Sequence, residues 1–146
     1  MASPVGNLVL VANSTGLCGV EFSDACQVDR STPDNSHLRA AAAQLEEYFA
    51  GKRRSFDLAL APHGTPFQMA AWSVLRTIPF GRTMTYGEQA AAMGKPRAVR
   101  AVGGANGRNP LAIVVPCHRV IGSGGRLTGY ASGIDRKKWL LDHEQN

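Results

Sequence analysis

The residues best suited to chemistry sit in one short stretch, Pro116-Cys117-His118-Arg119-Val120. A cysteine next to an apolar segment is by type an inert core residue. Its neighbours give Cys117 another character. His118 is adjacent and can help hold the thiolate, the nucleophilic form of cysteine. Arg119 adds positive charge. The glycine-crowded Gly122-Ser123-Gly124-Gly125-Arg126 follows, as expected of a close-fitting or mobile binding loop. Successive residues of an extended strand face opposite ways, so contact between Cys117 and His118 requires a turn here or a bridging water. The other cysteines, Cys18 and Cys26, are widely spaced, and three is an odd count, which does not describe a disulfide framework. With no C-x-x-C or H-E-x-x-H, and with His37, His63, His118 and His143 scattered, no metal site is expected.

Several elements must position this stretch. Leu111-Ala112-Ile113-Val114-Val115 reads as a buried strand that Pro116 ends. Before it, Thr85-Tyr86-Gly87-Glu88 has the form of a capping box, opening a short helix to Met93 with Gly94 at its C-terminal end. Lys95-Pro96-Arg97 follows, and Pro96 suits the first turn of a second helix over 96–106. Two short helices joined by a glycine-containing turn form a helix-turn-helix pattern. In the second helix Ala98, Val99, Ala101, Val102 and Ala105 are expected to face inward. Arg97, Arg100 and Gly104 share the outer face at i, i+3 and i+7. A glycine on that face costs about 1 kcal/mol against alanine, which suggests that a partner's surface approaches the backbone there. Upstream, Thr65 and Pro66 fit an N-cap and first helical residue. Phe67, Ala70, Ala71, Val74, Leu75 and Ile78 mark a core face, and Pro79-Phe80-Gly81 breaks the helix.

The first third reads as a small α+β unit. The apolar runs 8–12 and 17–22, joined by the turn residues Asn13-Ser14-Thr15-Gly16, predict a β-hairpin. After a polar stretch containing Pro33-Asp34-Asn35, Ser36 is the expected N-cap of a helix over 37–50. Leu38, Ala41, Ala42, Leu45 and Phe49 form its apolar face, and Gly51 lies just past its end. A further strand is expected over 56–60, then a linker at Ala61-Pro62-His63-Gly64. The chain's 146 residues are 44% hydrophobic and 18% charged, which suits one ordinary domain or two small ones. The net charge of +5 favours a polyanionic partner. No run approaches the ~18 apolar residues of a membrane span. The first six residues lack a basic stretch followed by an apolar one, so no secretory signal is read. A cytoplasmic, nucleoid-associated location is expected, or the nucleus in a eukaryote.

Pro116-Cys117-His118-Arg119-Val120, preceded by Asn109-Pro110, strongly resembles the active-site motif of the O6-alkylguanine-DNA alkyltransferases. Val99-Arg100-Ala101-Val102-Gly103-Gly104-Ala105 resembles that family's recognition helix. Leu127-Thr128-Gly129-Tyr130 and Lys138-Trp139-Leu140-Leu141 through Glu144 are similar to its C-terminal part. The match runs in order over about 65–145 and continues more loosely through Ser3-Pro4-Val5-Gly6 and Gly16-Leu17-Cys18-Gly19-Val20.

The resemblance implies an antiparallel sheet plus helix in an N-terminal α+β domain (1–62), packed on a mainly helical C-terminal domain (63–146) with a helix-turn-helix. It implies repair of O6-alkylguanine, and of O4-alkylthymine, in double-stranded DNA approached from the minor groove. The base is flipped and the alkyl group moves irreversibly to Cys117, with no cofactor, by a protein monomeric when free. His118 would be a water-mediated base that Glu144 orients, and Asn109 would brace the turn before the cysteine. Arg100 would fill the space left by the flipped base. Tyr86 would press on the target phosphate and bond the base. Arg97, Ala98, Gly103 and Gly104 would meet DNA. Pro116, Val120, Tyr130 and Ala131 would line the substrate pocket. The chain starts at a point implying a trimmed first strand, and it lacks a Cys/His set for the zinc of some relatives. Two other readings compete. One is a non-enzymatic alkylated-DNA-binding protein or regulator, a group that carries tryptophan at the cysteine position. The other is a Cys-His-Glu hydrolase.

Overall fold

The computed structural model describes residues 1–24 and 34–146, so Cys26 and Pro33 lie outside the described residues. The chain divides into two compact units. One comprises Met1–His63 with Pro110–Val114, the other Gly64–Asn109 with Val115–Asn146.

In the first unit β1 (Asn7–Ala12) and β2 (Leu17–Ser23) pair antiparallel, the expected hairpin. Asn13 builds its turn, its Oδ1 accepting from the backbone N–H groups of Thr15 and Gly16. Gly16 permits a close approach, since a Cβ there would lie 2.5 Å from the Ala59 carbonyl oxygen. Helix α1 (Ser36–Phe49) buries Leu38, Ala41, Leu45 and Tyr48. Its N-cap is Asn35 rather than Ser36: the Asn35 carboxamide accepts from the N–H groups of both His37 and Leu38. The helix closes with a Schellman pair, Gly51 N–H to Tyr48 and Lys52 N–H to Glu47, for which Gly51 adopts φ 76°.

Two expected strands do not form. Of 56–60, only Leu60 bridges, pairing in parallel with Leu17. Residues 111–115 are all buried but turn rather than extend. Leu111 bridges to Val20, the Val114 N–H donates to the Ala112 carbonyl, and Ile113 sits at φ 72°. The apolar run records burial, which periodicity alone does not convert into a strand.

In the second unit helix α2 (Pro66–Leu75) starts from a complete capping box of Thr65 and Gln68. It buries Ala71, Trp72 and Leu75, while Ala70 is exposed, so the core face is rotated toward Trp72 from the expected one. Strand β3 (Met84–Thr85) leads into α3 (Tyr86–Ala92), capped reciprocally by Thr85 and Glu88 as expected. Gly94 at φ 72° completes a second Schellman closure, through Gly94 N–H to Ala91 and Lys95 N–H to Ala90. Helix α4 (Val99–Gly107) follows, completing the helix-turn-helix.

α4 begins three residues later than expected, because a Lys95–Ala98 turn precedes it and leaves Pro96 and Arg97 outside. Arg97 therefore shares no helical register with Arg100. Val102, Ala105 and Asn106 face inward, whereas Val99 and Ala101 are exposed. A 3-10 turn at Cys117–Arg119, strand β4 (Val120–Ile121) and helix α5 (Ile134–Gln145) complete the unit. β4 pairs in parallel with β3, Met84 opposite Val120.

Polar bonds lock the helices to one another. The Trp72 indole N–H donates 2.8 Å to the Ala105 carbonyl, tying α2 to α4. Gln89 and Asn106 exchange two amide hydrogen bonds, of 2.9 and 2.8 Å, between α3 and α4, and Gln89 also donates to the Ala71 carbonyl. Both side chains are buried. Gln89→Leu leaves the Asn106 carboxamide without its buried partner. It is expected to cost about 1–3 kcal/mol of stability, read as a lowered urea midpoint with an unchanged m-value.

Candidate active site

Cys117 stands at the first residue of the 3-10 turn and is buried. The turn meets the geometric requirement raised by the sequence, since residues 117–119 are not extended. Burial pushes the Cys117 thiol upward, against a hydrogen bond from the Asn109 side chain and the charge of Lys137, which pull it down. At neutral pH the resting group is therefore the thiol. Asn109 also donates from Nδ2 to the Val115 carbonyl at 2.8 Å, fixing the backbone two residues before the cysteine.

Behind the cysteine lies a buried charge cluster. His118 Nε2 is 2.7 Å from Glu144 Oε2. Arg119 donates to the same carboxylate from Nε at 2.8 Å and from Nη2 at 3.0 Å. Its Nη1 reaches the Ile78 carbonyl, just past the end of α2, at 2.7 Å. Burial pushes His118 below its ordinary value, outweighing the Glu144 hydrogen bond that favours the charged ring. The ring is thus neutral at physiological pH. With Nε2 donating to Glu144, Nδ1 carries the lone pair. Nδ1 is buried and has no hydrogen-bond partner among the described residues. For Glu144 burial alone acts upward, but the hydrogen bonds from His118 and Arg119 outweigh it and hold the carboxyl down at about 2. Arg119 was expected to lend its charge to the thiol, but its guanidinium is committed to Glu144.

The cation acting on the thiol is Lys137, which the sequence reading missed. It is buried on α5, and its Nζ donates to the Thr128 and Gly129 carbonyls at 3.0 and 3.3 Å. The ammonium lies 5.7 Å from the centre of the Tyr86 ring. The available signal was helical spacing: Lys137 shares a face with Leu140, Leu141 and Glu144 at i, i+3, i+4 and i+7.

A cavity of about 450 Å3 opens at the cysteine, lined by Tyr86, Gly103, Asn106, Gly107, Cys117, Gly129, Tyr130 and Ala131. Tyr86, the first residue of α3, donates its hydroxyl to the Thr128 carbonyl at 3.0 Å. The Tyr130 hydroxyl is buried with no hydrogen-bond partner among the described residues. Of the residues named for the pocket, Tyr130 and Ala131 line this cavity, whereas Pro116 and Val120 are buried outside its lining. Gly103 lines it too. Arg97, Arg100 and Gly104 are exposed, and Ala98 is half-buried as the N-cap of α4.

A mainly helical unit that carries a helix-turn-helix and a cavity ending at a buried cysteine defines the class. The family description "6-O-methylguanine DNA methyltransferase, DNA binding domain" matches residues 66–146, and the same family's ribonuclease-like domain matches residues 1–62. The chain belongs to the 6-O-methylguanine DNA methyltransferase family. A methylated-DNA--protein-cysteine methyltransferase of Methanosarcina barkeri is 53% identical, over 99% of this chain and 94% of that protein. The crystal structure of Mycobacterium tuberculosis OGT in complex with DNA is 47% identical with a TM-score of 0.90, covering 99% of this chain and 90% of that one. S. pombe Atl1 in complex with damaged DNA containing O6-carboxymethylguanine is 33% identical with a TM-score of 0.51, over 56% of this chain and 78% of that one.

The cluster carries a pH signature. Folded Glu144 holds its proton less readily than an ordinary carboxyl near 4.5, so acid loads the unfolded chain first. Stability that Glu144 contributes above pH 4.5 is lost as pH falls toward 2. Glu144→Gln is expected to be less stable at pH 7 and to show a shallower loss over that window, measured by urea denaturation at each pH.

Proposed function

We propose that this chain repairs O6-alkylguanine, and O4-alkylthymine by the same chemistry, in double-stranded DNA by moving the alkyl group to Cys117 once per molecule. The observation that carries the reading is the Cys117 thiol at the wall of a base-sized cavity, with the neutral His118 ring held by the Glu144 carboxylate behind it. Membership of the family and the relatives' names support it.

The O6 atom of a stacked, paired guanine is out of reach of a buried thiol, so the base must leave the duplex. His118 Nδ1 takes the thiol proton through a bridging water. Glu144, receiving the Nε2–H, stabilises the imidazolium that forms. The thiolate attacks the alkyl carbon in line with the C–O6 bond. The S–C bond forms, the C–O6 pair withdraws onto guanine, and a proton returns to the purine. No redox partner or cofactor enters the balance, and the thioether product is stable.

Residues 63–146 carry both DNA binding and transfer in this reading, with residues 1–62 as a separate α+β domain. Asn109 braces the segment before the cysteine, and Tyr86 and Tyr130 wall the base. Arg100, exposed on α4, enters the space the base vacates. Arg97, Ala98, Gly103 and Gly104 lie along the minor-groove face. The protein acts as a monomer inside the cell, where its substrate lies.

Two experiments test this. Mixing the protein with a duplex containing O6-methylguanine is expected to add one methyl mass to Cys117, by intact-mass analysis and peptide mapping. Cys117→Ser should form no adduct while retaining duplex affinity. Tight binding by the native chain with no adduct would replace repair by damage binding, and many turnovers without an adduct would mark a hydrolase.

Arg100→Ala is expected to slow transfer from duplex DNA far more than transfer from free O6-benzylguanine, which needs no flipping. Arg97→Ala should weaken duplex binding and lower its salt slope by about one unit. Equal losses on duplex and free base for Arg100→Ala would remove Arg100 from the flipping step.

A further inference from the structure

Helix α4 contributes to the mouth of the cavity. Of the α4 residues in its lining, Asn106 is buried, Gly103 is half-buried and Gly107 is exposed. Gly107, exposed to solvent and also part of the lining, therefore lies at the rim. The next residue is Arg108, the C-cap of α4, whose Cα is about 3.8 Å from that of Gly107. Arg108 is exposed, and its guanidinium forms no hydrogen bond or ion pair among the described residues. Other arginines of this unit are engaged: Arg119 holds Glu144, and Arg136 donates to the Ser132 carbonyl.

The backbone that carries Arg108 is fixed. Its N–H donates to the Ala105 carbonyl, and the Asn109 N–H donates to that of Asn106. The Asn109 side chain in turn bonds the Val115 carbonyl and the Cys117 thiol. Along α4, Arg100, Gly104 and Arg108 follow at i, i+4 and i+8, all exposed, while Val102, Ala105 and Asn106 face inward. Eight residues of helix span about 12 Å, so the two arginines stand well apart on the outer side. A cation at a helix C-terminus also suits the helix dipole, but that requires a charge alone and no place beside a cavity. A base that leaves the stack turns about its own backbone, so its flanking phosphates stay at the mouth of the cavity that receives it. A cation anchored at the rim stands beside the charged part of the flipped nucleotide.

Resting on the repair reading above, we propose that Arg108 binds a phosphate flanking the flipped nucleotide and so stabilises the flipped state. This role is separate from that of Arg100 in the vacated stack. In the repair reading Arg97 meets the duplex whether or not a base has left it. Arg108 gains its partner only when the base sits in the cavity. The guanidinium fork can take two phosphate oxygens at once, which a point charge cannot.

The test uses the full chain in excess over one duplex carrying O6-methylguanine, with single-turnover adduct formation on Cys117 followed by mass. The rate at saturation and the concentration at half-saturation are read separately. In Arg108→Ala the saturating rate is expected to fall about tenfold, the loss of one charged hydrogen bond, with little change in half-saturation. Arg108→Lys, which keeps the charge at the end of α4, should recover part of that rate. Transfer from free O6-benzylguanine, which has no phosphate, should be unchanged in both. A methylphosphonate, which removes the charge of one phosphate, is then placed on the 5′ or the 3′ side of the O6-methylguanine. At one of these positions it should slow the native chain about as much as Arg108→Ala does, and slow Arg108→Ala no further. A native saturating rate in Arg108→Ala, no recovery in Arg108→Lys, equal losses on duplex and free base, or full methylphosphonate penalties at both positions in Arg108→Ala would each overturn the phosphate contact while leaving the repair reading intact. A native chain that forms no methyl adduct would sink both.

Discussion

One carboxylate holds the catalytic end of the molecule together. Glu144 is almost wholly buried, and a buried charge is tolerated only when paired and hydrogen-bonded. Its partners come from a different segment: His118 and Arg119 from the 3-10 turn, with Arg119 extending the connection to Ile78 beyond α2. Removing one member of such a buried set costs about 3–5 kcal/mol, because the remaining charge is left uncompensated. The last helix, the nucleophile's turn and the segment just past α2 are thus joined by charged hydrogen bonds as well as by apolar packing. The same bond fixes the His118 tautomer, so orientation of the ring and cohesion of the unit have one cause.

The thiol is treated differently from the carboxylate. Burial raises Cys117, and neither Asn109 nor Lys137 reverses that. A group that reacts once and is not regenerated gains from being a protonated, shielded thiol until substrate arrives, because thiolate character and exposure govern oxidation. The His118 ring is neutral, and its Nδ1 lone pair is buried with no hydrogen-bond partner among the described residues, so the resting site holds no thiolate–imidazolium ion pair. Helix α4 serves two surfaces at once: Arg100 and Gly104 are exposed, while Gly103 and the exposed end of the helix at Gly107 line the cavity. Glycine gives up helix stability on both, and the Trp72–Ala105 and Gln89–Asn106 bonds hold the helix in place.

Much of this was legible in the sequence wherever a local rule decides the outcome. The hairpin follows from apolar runs on either side of Asn13-Ser14-Thr15-Gly16. The caps at Thr65 and Thr85 follow from their partners Gln68 and Glu88, three residues on. The glycine stops at Gly51 and Gly94 follow from the left-handed backbone a Schellman closure needs. These signals involve residues within one turn of each other, so the chain states them directly. The motif around Cys117 singled out the nucleophile's neighbourhood for the same reason.

Tertiary structure decided everything that depends on a partner distant in sequence. Residues 111–115 are apolar enough for a strand, but with a bridge at Leu111 alone they fold into turns. Arg119 looked like a cation for the thiol until Glu144, 25 residues away, claimed it. Lys137 carried no signal of its own in the sequence; α5 buries it, with its Nζ on the 128–129 carbonyls, where its charge acts on Cys117. The sequence by itself determined which residues could react and where helices begin and end, because those depend on side-chain chemistry and short-range hydrogen bonds. Which charges pair, which stay free to act and how much room the site leaves were decided only in three dimensions, since burial and long-range contacts set them.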